Sequence, residues 1–206
     1  MAHVLGIGAH PDDLELGCAG TLARHIAQGD RVTMLVVTEG QEGPGDASRR
    51  KDEARHAARA IGADLVFGGL PDGSVSNHEF TLVHLIEDVL RSTGATTVYT
   101  HGQKDSHQDH RAVGLASMGA CRQVQRVLCY DSPSSIGFSP SIFVDITTTL
   151  DKKLTALGMH ESQVENSSMA SLSLVATQAG YRGFQARCEA AEGFEPLRLV
   201  LSMDYD

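Results

Sequence analysis

Residues 4–15 read VLGIGAHPDDLE, an apolar run that stops at a histidine and is followed by three carboxylates. The run at residues 4–8 has the pattern of a fully buried parallel strand, so it predicts the first strand of the fold. His10 and Asp13 stand three residues apart beyond Pro11, and a turn there can direct both side chains to one divalent cation. Asp12 then stays available for another task. The stretch therefore predicts a strand that delivers ligands to a site.

A second polar cluster also follows a predicted strand. Residues 105–110 read DSHQDH, and the strand predicted before them covers residues 96–100. In parallel α/β sheets, binding sites form beyond the carboxyl ends of the strands. Both clusters stand at such ends, so we expect them to converge on one site.

Strands alternate with helices along the chain. Strands are predicted at residues 4–8, 32–38, 64–67, 96–100, 127–130, 142–146 and 197–201. Helices are predicted at residues 17–28, 47–61, 80–93, 108–121, 149–157 and 169–179. The alternation predicts a Rossmann-like three-layer α/β sandwich with a mostly parallel sheet and the site at the carboxyl ends of its strands. A chain of 206 residues fits one domain spanning residues 1–206.

Charge and hydropathy restrict the partners. The formal net charge is −9, and Lys and Arg are scattered along the sequence rather than clustered. Nucleic acids and anionic membranes reward clustered positive charge, so we expect neither as a partner, and small, neutral or weakly charged substrates fit better. No apolar run approaches the ~20 residues of a membrane span, and no basic leader precedes the first apolar residues. We therefore expect a soluble cytoplasmic protein.

The two clusters contain the ligands of a catalytic metal site. Such a zinc site takes about three nitrogen and oxygen ligands and leaves one position open. His10, Asp13 and one histidine of residues 107–110 supply this set, which suits Zn²⁺ but also Fe²⁺, Mn²⁺ and Co²⁺. The metal lowers the pKa of its water towards ~7, so a nearby carboxylate can take the proton. Asp12 is the candidate base, because Asp13 is committed to the metal.

The second cluster holds one histidine more than the metal needs. Of His107 and His110, one would bind metal and the other would face the reacting carbonyl, where a donating imidazole stabilises an oxyanion. Asp109 between them can accept the spare N–H of a histidine and fix its tautomer. It is equally suited to cap the helix that begins there.

These motifs resemble those of a known family. The sequence AHPDDLE at residues 9–15, followed by Gly17 and by GTL at residues 20–22, resembles the signature of the PIG-L/LmbE family of metal-dependent N-deacetylases. The sequence HQDHRAV at residues 107–113 resembles its second motif. Weaker similarities include LPDG at residues 70–73 and FVDI at residues 143–146. The resemblance runs from about residue 3 to residue 200.

The resemblance implies hydrolysis of an N-acyl group, commonly acetyl, from an amino sugar such as N-acetylglucosamine or from its conjugate. It implies one divalent metal, zinc before Fe, Mn or Co, and a homo-oligomer is compatible with it. It makes Asp12 the general base and His107 the oxyanion stabiliser or acid, and it places Arg50 at the substrate. Carried onto matching positions, it makes three residues the metal ligands, namely His10, Asp13 and His110.

Other interpretations compete with this one. The sequence at residues 10–13 is also ordinary turn chemistry. A dinucleotide site is disfavoured, because the third glycine of its fingerprint would fall at Pro11 and the carboxylates would repel phosphate. A metal-dependent hydrolase of another bond, such as a phosphoester, would use the same metal and water. A metal-binding module without catalysis is the remaining alternative, although such a module needs neither Asp12 nor His107.

Overall fold

The computed structural model of this chain describes residues 1–43, 46–166 and 168–201. Pro44 and Gly45 of the loop predicted at residues 39–46 lie outside the described residues, as do Ser167 and residues 202–206 of the predicted domain. The strands are β1 (His3–Gly8), β2 (Arg31–Thr38), β3 (Asp64–Leu70), β4 (Thr97–His101), β5 (Arg126–Tyr130), β6 (Ile142–Asp145) and β7 (Ala191–Leu199). The α-helices are α1 (Asp13–Gly17), α2 (Ala19–Ala27), α3 (Ala47–Ile61), α4 (Glu79–Thr93), α5 (Gln108–Ala120), α6 (Leu150–Gly158), α7 (Glu161–Asn166) and α8 (Leu172–Ala186).

The strands form one sheet in the order β3-β2-β1-β4-β5-β7-β6. The first five are parallel, whereas β7 runs antiparallel to both β5 and β6. The predicted mostly parallel α/β sandwich is therefore confirmed. The strand order reverses direction between β1 and β4, and this switch point is where open α/β sheets form binding crevices. Both polar clusters follow these two strands.

Alternate side chains of β1 enter two separate cores, because successive residues of a strand point to opposite faces. Leu5 and Ile7 pack with buried side chains of α4 and α5 on one face of the sheet. Val4 packs on the other face with Leu14 and Leu22 and with α3. Burial on both faces explains why β1 reads as a continuous apolar run. No helix in the described ranges is both long and apolar enough to span a bilayer.

The first helix differs from its prediction. Residues 10–15 were expected to be a loop before a helix at residues 17–28, but α1 begins at Asp13 and a break at Cys18, with φ −148°, separates it from α2. The backbone N–H of Leu16 donates to the carbonyl of Asp12 at 2.9 Å, which starts the helix directly after the turn. Leu14 is fully buried against β1, and its burial stabilises a helix that begins at Asp13.

The C-terminal region also departs from expectation. The helix predicted at residues 169–179 is α8, which begins at Leu172 and is longer, and α7 before it was not predicted. The closing strand begins at Ala191 rather than at residue 197. Glu192 interrupts the apolar sequence pattern by which this strand would have been predicted. Its carboxylate is buried in the structure, with Lys153 Nζ 2.6 Å away. A buried charge is tolerated only with such a partner.

Candidate active site

A cavity of about 420 Å³ opens at the carboxyl edge of the sheet. The loops after β1 and β4 meet there, with contributions from the loops after β2, β3 and β5. The predicted site residues that line it are His10, Asp12, Asp13, Arg50, His107 and His110. Asp109 lies directly behind this lining and has no exposed surface. The structure thus brings together all the side chains that the two motifs and Arg50 contributed to the predicted site.

The donor atoms of His10, Asp13 and His110 form a compact triangle. Nε2 of His110 lies 3.3 Å from Nδ1 of His10 and 3.2 Å from Oδ1 of Asp13, and Nδ1 of His10 lies 3.5 Å from Oδ2 of Asp13. Ligands placed tetrahedrally at about 2.0–2.1 Å from an ion are separated by about 3.3 Å. Asp13 presents a different oxygen to each histidine, and these closest separations are near those expected between ligands of one small divalent cation. The same side chains also belong to other groups within ligand distance, namely His10, His107 and His110, and Asp13, His101 and His110.

His101, at the end of β4, adjoins this triangle although its sequence context suggested no definite role. Its Nε2 lies 3.0 Å from Oδ2 of Asp13, and its ring stacks on His110 with centroids 4.0 Å apart. Burial, followed by the neighbouring His110, lowers the pKa of His101 to about 4, so the ring is neutral. The tautomer with its proton on Nε2 donates a hydrogen bond to the Asp13 carboxylate, whereas the other tautomer accepts the backbone N–H of Ala9, which lies 3.3 Å from the same nitrogen. Asp13, His101 and His110 also lie within ligand distance of one another. His101 therefore either orients Asp13 as a metal ligand or competes with it for the metal.

Carboxylates hold the far nitrogen of His10. Nε2 of His10 lies 3.0 Å from Oδ1 of Asp72 and 3.3 Å from Oδ2 of Asp109. Asp109 in turn accepts the backbone N–H groups of Gly73 at 2.7 Å and Val75 at 3.1 Å. A proton on Nε2 leaves Nδ1 as the acceptor that faces His110 and Asp13. Such a carboxylate–histidine pair fixes the tautomer of a metal-binding imidazole.

The far nitrogen of His110 is held in the same way. Its Nδ1 lies 3.1 Å from Oδ2 of Asp105 and 3.1 Å from Oγ of Ser134. Asp105 also accepts from Oγ of Ser132 at 2.7 Å and from the backbone N–H of His107 at 2.8 Å. Burial opposes the protonation of His110, but Asp13 and Asp105 outweigh it and raise its pKa to about 9. The imidazole therefore sits in an environment that favours positive charge.

Asp12 occupies a strained position beside the triangle. Its φ of 104° is one of two positive values among the described non-glycine residues. Its side chain is largely buried, and Oδ1 lies 3.9 Å from Nη2 of Arg50. Burial, and then the adjacent Asp13, raise the pKa of Asp12 to about 7. Strain of this kind is tolerated where the surrounding structure over-determines it, and it clusters at functional sites.

His107 is the N-cap of α5, a role that the sequence had offered to Asp109. Its Nδ1 accepts the backbone N–H of Asp109 at 3.3 Å, so the proton of the neutral ring is on Nε2. The ring stacks on His110 at 4.5 Å and meets the edge of His10 at 4.7 Å. Burial, and then the nearby His10, lower the pKa of His107. A neutral imidazole with a donating Nε2–H therefore lines the cavity.

Arg50 is enclosed rather than extended into the cavity. Its guanidinium is buried and donates from Nη1 to the carbonyl of Gly40 at 2.7 Å and from Nη2 to that of Pro11 at 3.0 Å. A Cβ on Gly40 or Gly43 would overlap the guanidinium, so the loop after β2 wraps around it. Arg50 thus ties this loop to the turn at residues 10–13. Its predicted contact with substrate stays a prediction.

The residues missed by sequence reasoning are those that touch the predicted residues from other loops. No ligand-orienting role was predicted for Asp72 in the sequence LPDG or for Asp105 at the start of the second cluster. His101 directly follows the strand predicted at residues 96–100, and Ser134 follows the strand predicted at residues 127–130. Position at a strand's carboxyl end is the one signal that His101 and Asp105 share, and it could have marked them.

Comparisons with known proteins cover most of the chain. Residues 5–121 match the model of the PIG-L family, described as GlcNAc-PI de-N-acetylase. An uncharacterized deacetylase of Escherichia coli is 34% identical over 167 residues, which are 77% of this chain and 90% of that protein. A probable N-acetyl-α-D-glucosaminyl L-malate deacetylase of Bacillus cereus is 28% identical over 185 residues, 79% of this chain and 84% of that one. The crystal structure of a conserved Thermus thermophilus protein matches 98% of both chains with a TM-score of 0.88 and 28% identity.

Proposed function

The chain belongs to the PIG-L family, and from that premise we propose that it is a divalent-metal-dependent deacetylase. It hydrolyses the N-acetyl group of an amino sugar or sugar conjugate, with zinc as the first candidate for the metal. The observation that carries this proposal is the triangle of the His10, Asp13 and His110 side chains, whose closest donor atoms are 3.2–3.5 Å apart, with a carboxylate and a donating imidazole beside it. The relative named as a probable N-acetyl-α-D-glucosaminyl L-malate deacetylase supports the substrate class.

His10, Asp13 and His110 would hold the metal. When bound, a divalent cation would lower the pKa of a coordinated water and would polarise the acetyl carbonyl. The backbone N–H of His10 donates to Oδ2 of Asp13 at 2.7 Å, so this carboxylate is oriented from its own loop as well as by His101. Asp109 and Asp105 keep the two imidazoles in the tautomers that ligation requires.

Asp12 accepts the proton of the attacking water. Its carboxylate is adjacent in sequence to Asp13 and lies on the side of Arg50, 3.9 Å from Nη2, so we assign it the role of base rather than of ligand. It then returns the proton to the nitrogen of the departing amine as the carbon–nitrogen bond breaks, giving acetate and the free amino sugar. General acid–base catalysis of this kind contributes about 10²–10⁴-fold to the rate.

His107 stabilises the negative charge that develops on the carbonyl oxygen. Since Nδ1 accepts from the backbone of Asp109, the remaining Nε2–H is a donor with a fixed ring orientation. A pre-oriented donor costs little reorganisation during the reaction, and removing one such donor typically slows turnover about 10²–10³-fold.

Acetate release with purified, zinc-loaded protein tests the proposal. N,N′-diacetylchitobiose and the methyl glycoside of N-acetylglucosamine should each yield acetate and free amine in equal amounts. A chelator should abolish the reaction, and added Zn²⁺ should restore it. His110→Ala should lose both bound zinc and turnover. Absence of acetate from N-acetylated sugars and their conjugates, or turnover indifferent to chelator and to His110→Ala, would overturn the proposal.

The variant Asp12→Asn tests whether Asp12 is the general base rather than a metal ligand. Asn tolerates a positive φ, so the turn should survive, and bound zinc should equal that of the unmodified protein. Turnover should fall by about 10²–10⁴-fold. Asp88→Asn, an exposed change on α4, is the matched control and should leave both quantities unchanged. Loss of zinc in Asp12→Asn would show that the division between base and ligands is wrong.

A further inference from the structure

We propose that His160 is a positioning residue of the reaction, which pairs with Glu15 inside the protein and holds α1 so that the Asp12 carboxylate faces the cavity. This inference rests on the proposed function and adds a residue to its machinery. His160 belongs to neither of the two polar clusters and does not line the cavity. It therefore acts through Asp12 rather than on the substrate.

His160 is a fully buried histidine at the corner between α6 and α7. Its backbone N–H donates to the carbonyl of Leu157 at 3.0 Å, and its carbonyl accepts the backbone N–H groups of Gln163 and Val164, both at 2.9 Å. These bonds hold the backbone on both sides of the residue. The imidazole therefore has a defined place in the interior, set by the ends of two helices.

The ring of His160 faces the carboxylate of Glu15 on α1. Its Nε2 lies 3.4 Å from Oε1 of Glu15, and both side chains are almost fully buried. Within the described ranges, the two ring nitrogens and this oxygen lack a hydrogen-bond partner, so the contact is an ion pair rather than a hydrogen bond. A buried polar group without a hydrogen bond costs about 1–3 kcal/mol of stability. Such groups call for an explanation other than stability, and a catalytic role is one.

Three carboxylates act on the ring of His160. Burial opposes its protonation, but Glu15, followed by Asp12 and Glu53, outweighs burial and raises the pKa of His160. Glu53 is already engaged, since its two oxygens accept the backbone N–H and the Oγ–H of Ser162 at 2.9 and 2.6 Å. The ring is therefore an interior cation that attracts Glu15 first and Asp12 next.

Helix α1 depends on contacts of this kind because it has only five residues. Helices shorter than about 12 residues are marginal in isolation, so tertiary contacts must fix their place. Lys153 Nζ donates to the carbonyl of Leu16 at 2.8 Å, which holds the end of α1 against α6. His160, just beyond the end of α6, holds Glu15 in the middle of the same helix. Together they set the direction in which α1 leaves the turn at Asp12.

The direction of α1 matters to Asp12 because the two are joined through a strained backbone. Asp12 has φ 104°, and its carbonyl accepts the backbone N–H of Leu16. A rotation of α1 would therefore move the Asp12 carboxylate, whereas Asp13 has its own bond from the backbone N–H of His10 at 2.7 Å. A displacement of about 1 Å can cost about 10²-fold in rate. Loss of the contact with His160 should thus impair the base more than the metal site.

Apolar replacement of the whole pair tests the inference on the zinc-loaded full chain. The variant Glu15→Leu/His160→Leu leaves neither partner buried alone, so its melting temperature should stay near that of the unmodified protein. Its kcat on the methyl glycoside of N-acetylglucosamine should fall about 10–100-fold, while KM and zinc affinity change by no more than about twofold. His56→Leu, at an exposed histidine of α3, is the control and should change none of these quantities.

A double-mutant cycle shows whether the pair acts through Asp12. In the Asp12→Asn background, the same two replacements should slow turnover by less than about twofold, because the base is already absent. An equal factor in both backgrounds would refute the route through Asp12. His160→Gln keeps a donor for Glu15 and should turn over faster than His160→Leu. Equal rates of these two variants would refute the role of the pairing.

The outcomes distinguish this inference from the proposed function. Unchanged kcat in Glu15→Leu/His160→Leu would show that the pair serves stability alone, and would overturn the inference while the deacetylase function stood. Loss of zinc from that variant would show that the pair supports the metal site instead, and would overturn it too. Absence of acetate from the unmodified protein with the glycoside and with N,N′-diacetylchitobiose would overturn the proposed function, and the inference with it.

Discussion

Replacement of His101 measures how much the orientation of Asp13 contributes to metal binding. Its Nε2 lies 3.0 Å from Oδ2 of Asp13, and both side chains are almost fully buried. His101→Leu keeps an apolar side chain of similar bulk against β4 but removes the donor. His101→Gln places an amide nitrogen near the position of Nε2 and can restore the hydrogen bond.

The magnitude follows from the nature of this bond. A hydrogen bond to a charged group contributes about 1.5–3 kcal/mol when its partner is buried. Loss of a group that orients a metal ligand usually weakens metal binding about 10–100-fold, which agrees with that range. We therefore expect His101→Leu to bind zinc about 10–100-fold more weakly, and His101→Gln to recover most of the loss.

Competition with a chromophoric chelator gives the zinc affinity, and the visible spectrum of the cobalt-substituted protein reports the ligand set. His84→Leu, a change at a half-exposed histidine on α4, is the control and should not alter either measurement. Unchanged zinc affinity in folded His101→Leu would refute the reasoning. A cobalt spectrum with a different coordination number in His101→Gln would show that His101 is itself a ligand, since it lies within ligand distance of Asp13 and His110.

Two further predictions concern the support of the site. Lys153→Met should destabilise the fold by about 3–5 kcal/mol in urea unfolding, because it leaves the buried Glu192 carboxylate without its opposite charge. Lys152→Met at the exposed neighbouring position should change little, and equal effects of the two changes would contradict this. Gly17→Ala should lower the melting temperature, since its Cβ would overlap the ring of Tyr130 and overpacking costs about 1–3 kcal/mol. An unchanged melting temperature would show that the ring moves aside freely.

The parallel half of the fold was predictable because its signals are local. Strands β1 and β2 are apolar on both faces, and α3 begins after Asp46 and ends before Gly62, as its cap residues indicate. The end of the chain was harder, because its signals depend on distant partners. Glu192 reads as a surface residue until Lys153 and the backbone N–H groups of Gly20 and Thr21 are brought to it.

The site shows the same difference between residues with local sequence signals and residues that depend on distant partners. The motif residues that are close in sequence could be predicted, since three-residue spacings at strand ends bring side chains together. The partners that orient them could not, because Asp72 reaches His10 from 62 positions away and His101 reaches Asp13 from 88. No periodicity or propensity encodes contacts at such separations. These contacts form because the strand order places β1 beside β4.

The strained turn at Asp12 separates the two adjacent carboxylates to which we assign different tasks. A φ of 104° at Asp12 redirects the chain just before Asp13 enters α1. Asp13 then faces His101 and His110, while Asp12 lies on the side of Arg50. Such a conformation costs about 1–3 kcal/mol. Burial of Leu14 after the turn, and the bond from Arg50 to the carbonyl of Pro11, offset this cost on either side of Asp12. The turn therefore depends on packing that lies outside the motif itself, which is why Arg50 matters to the site even without touching substrate.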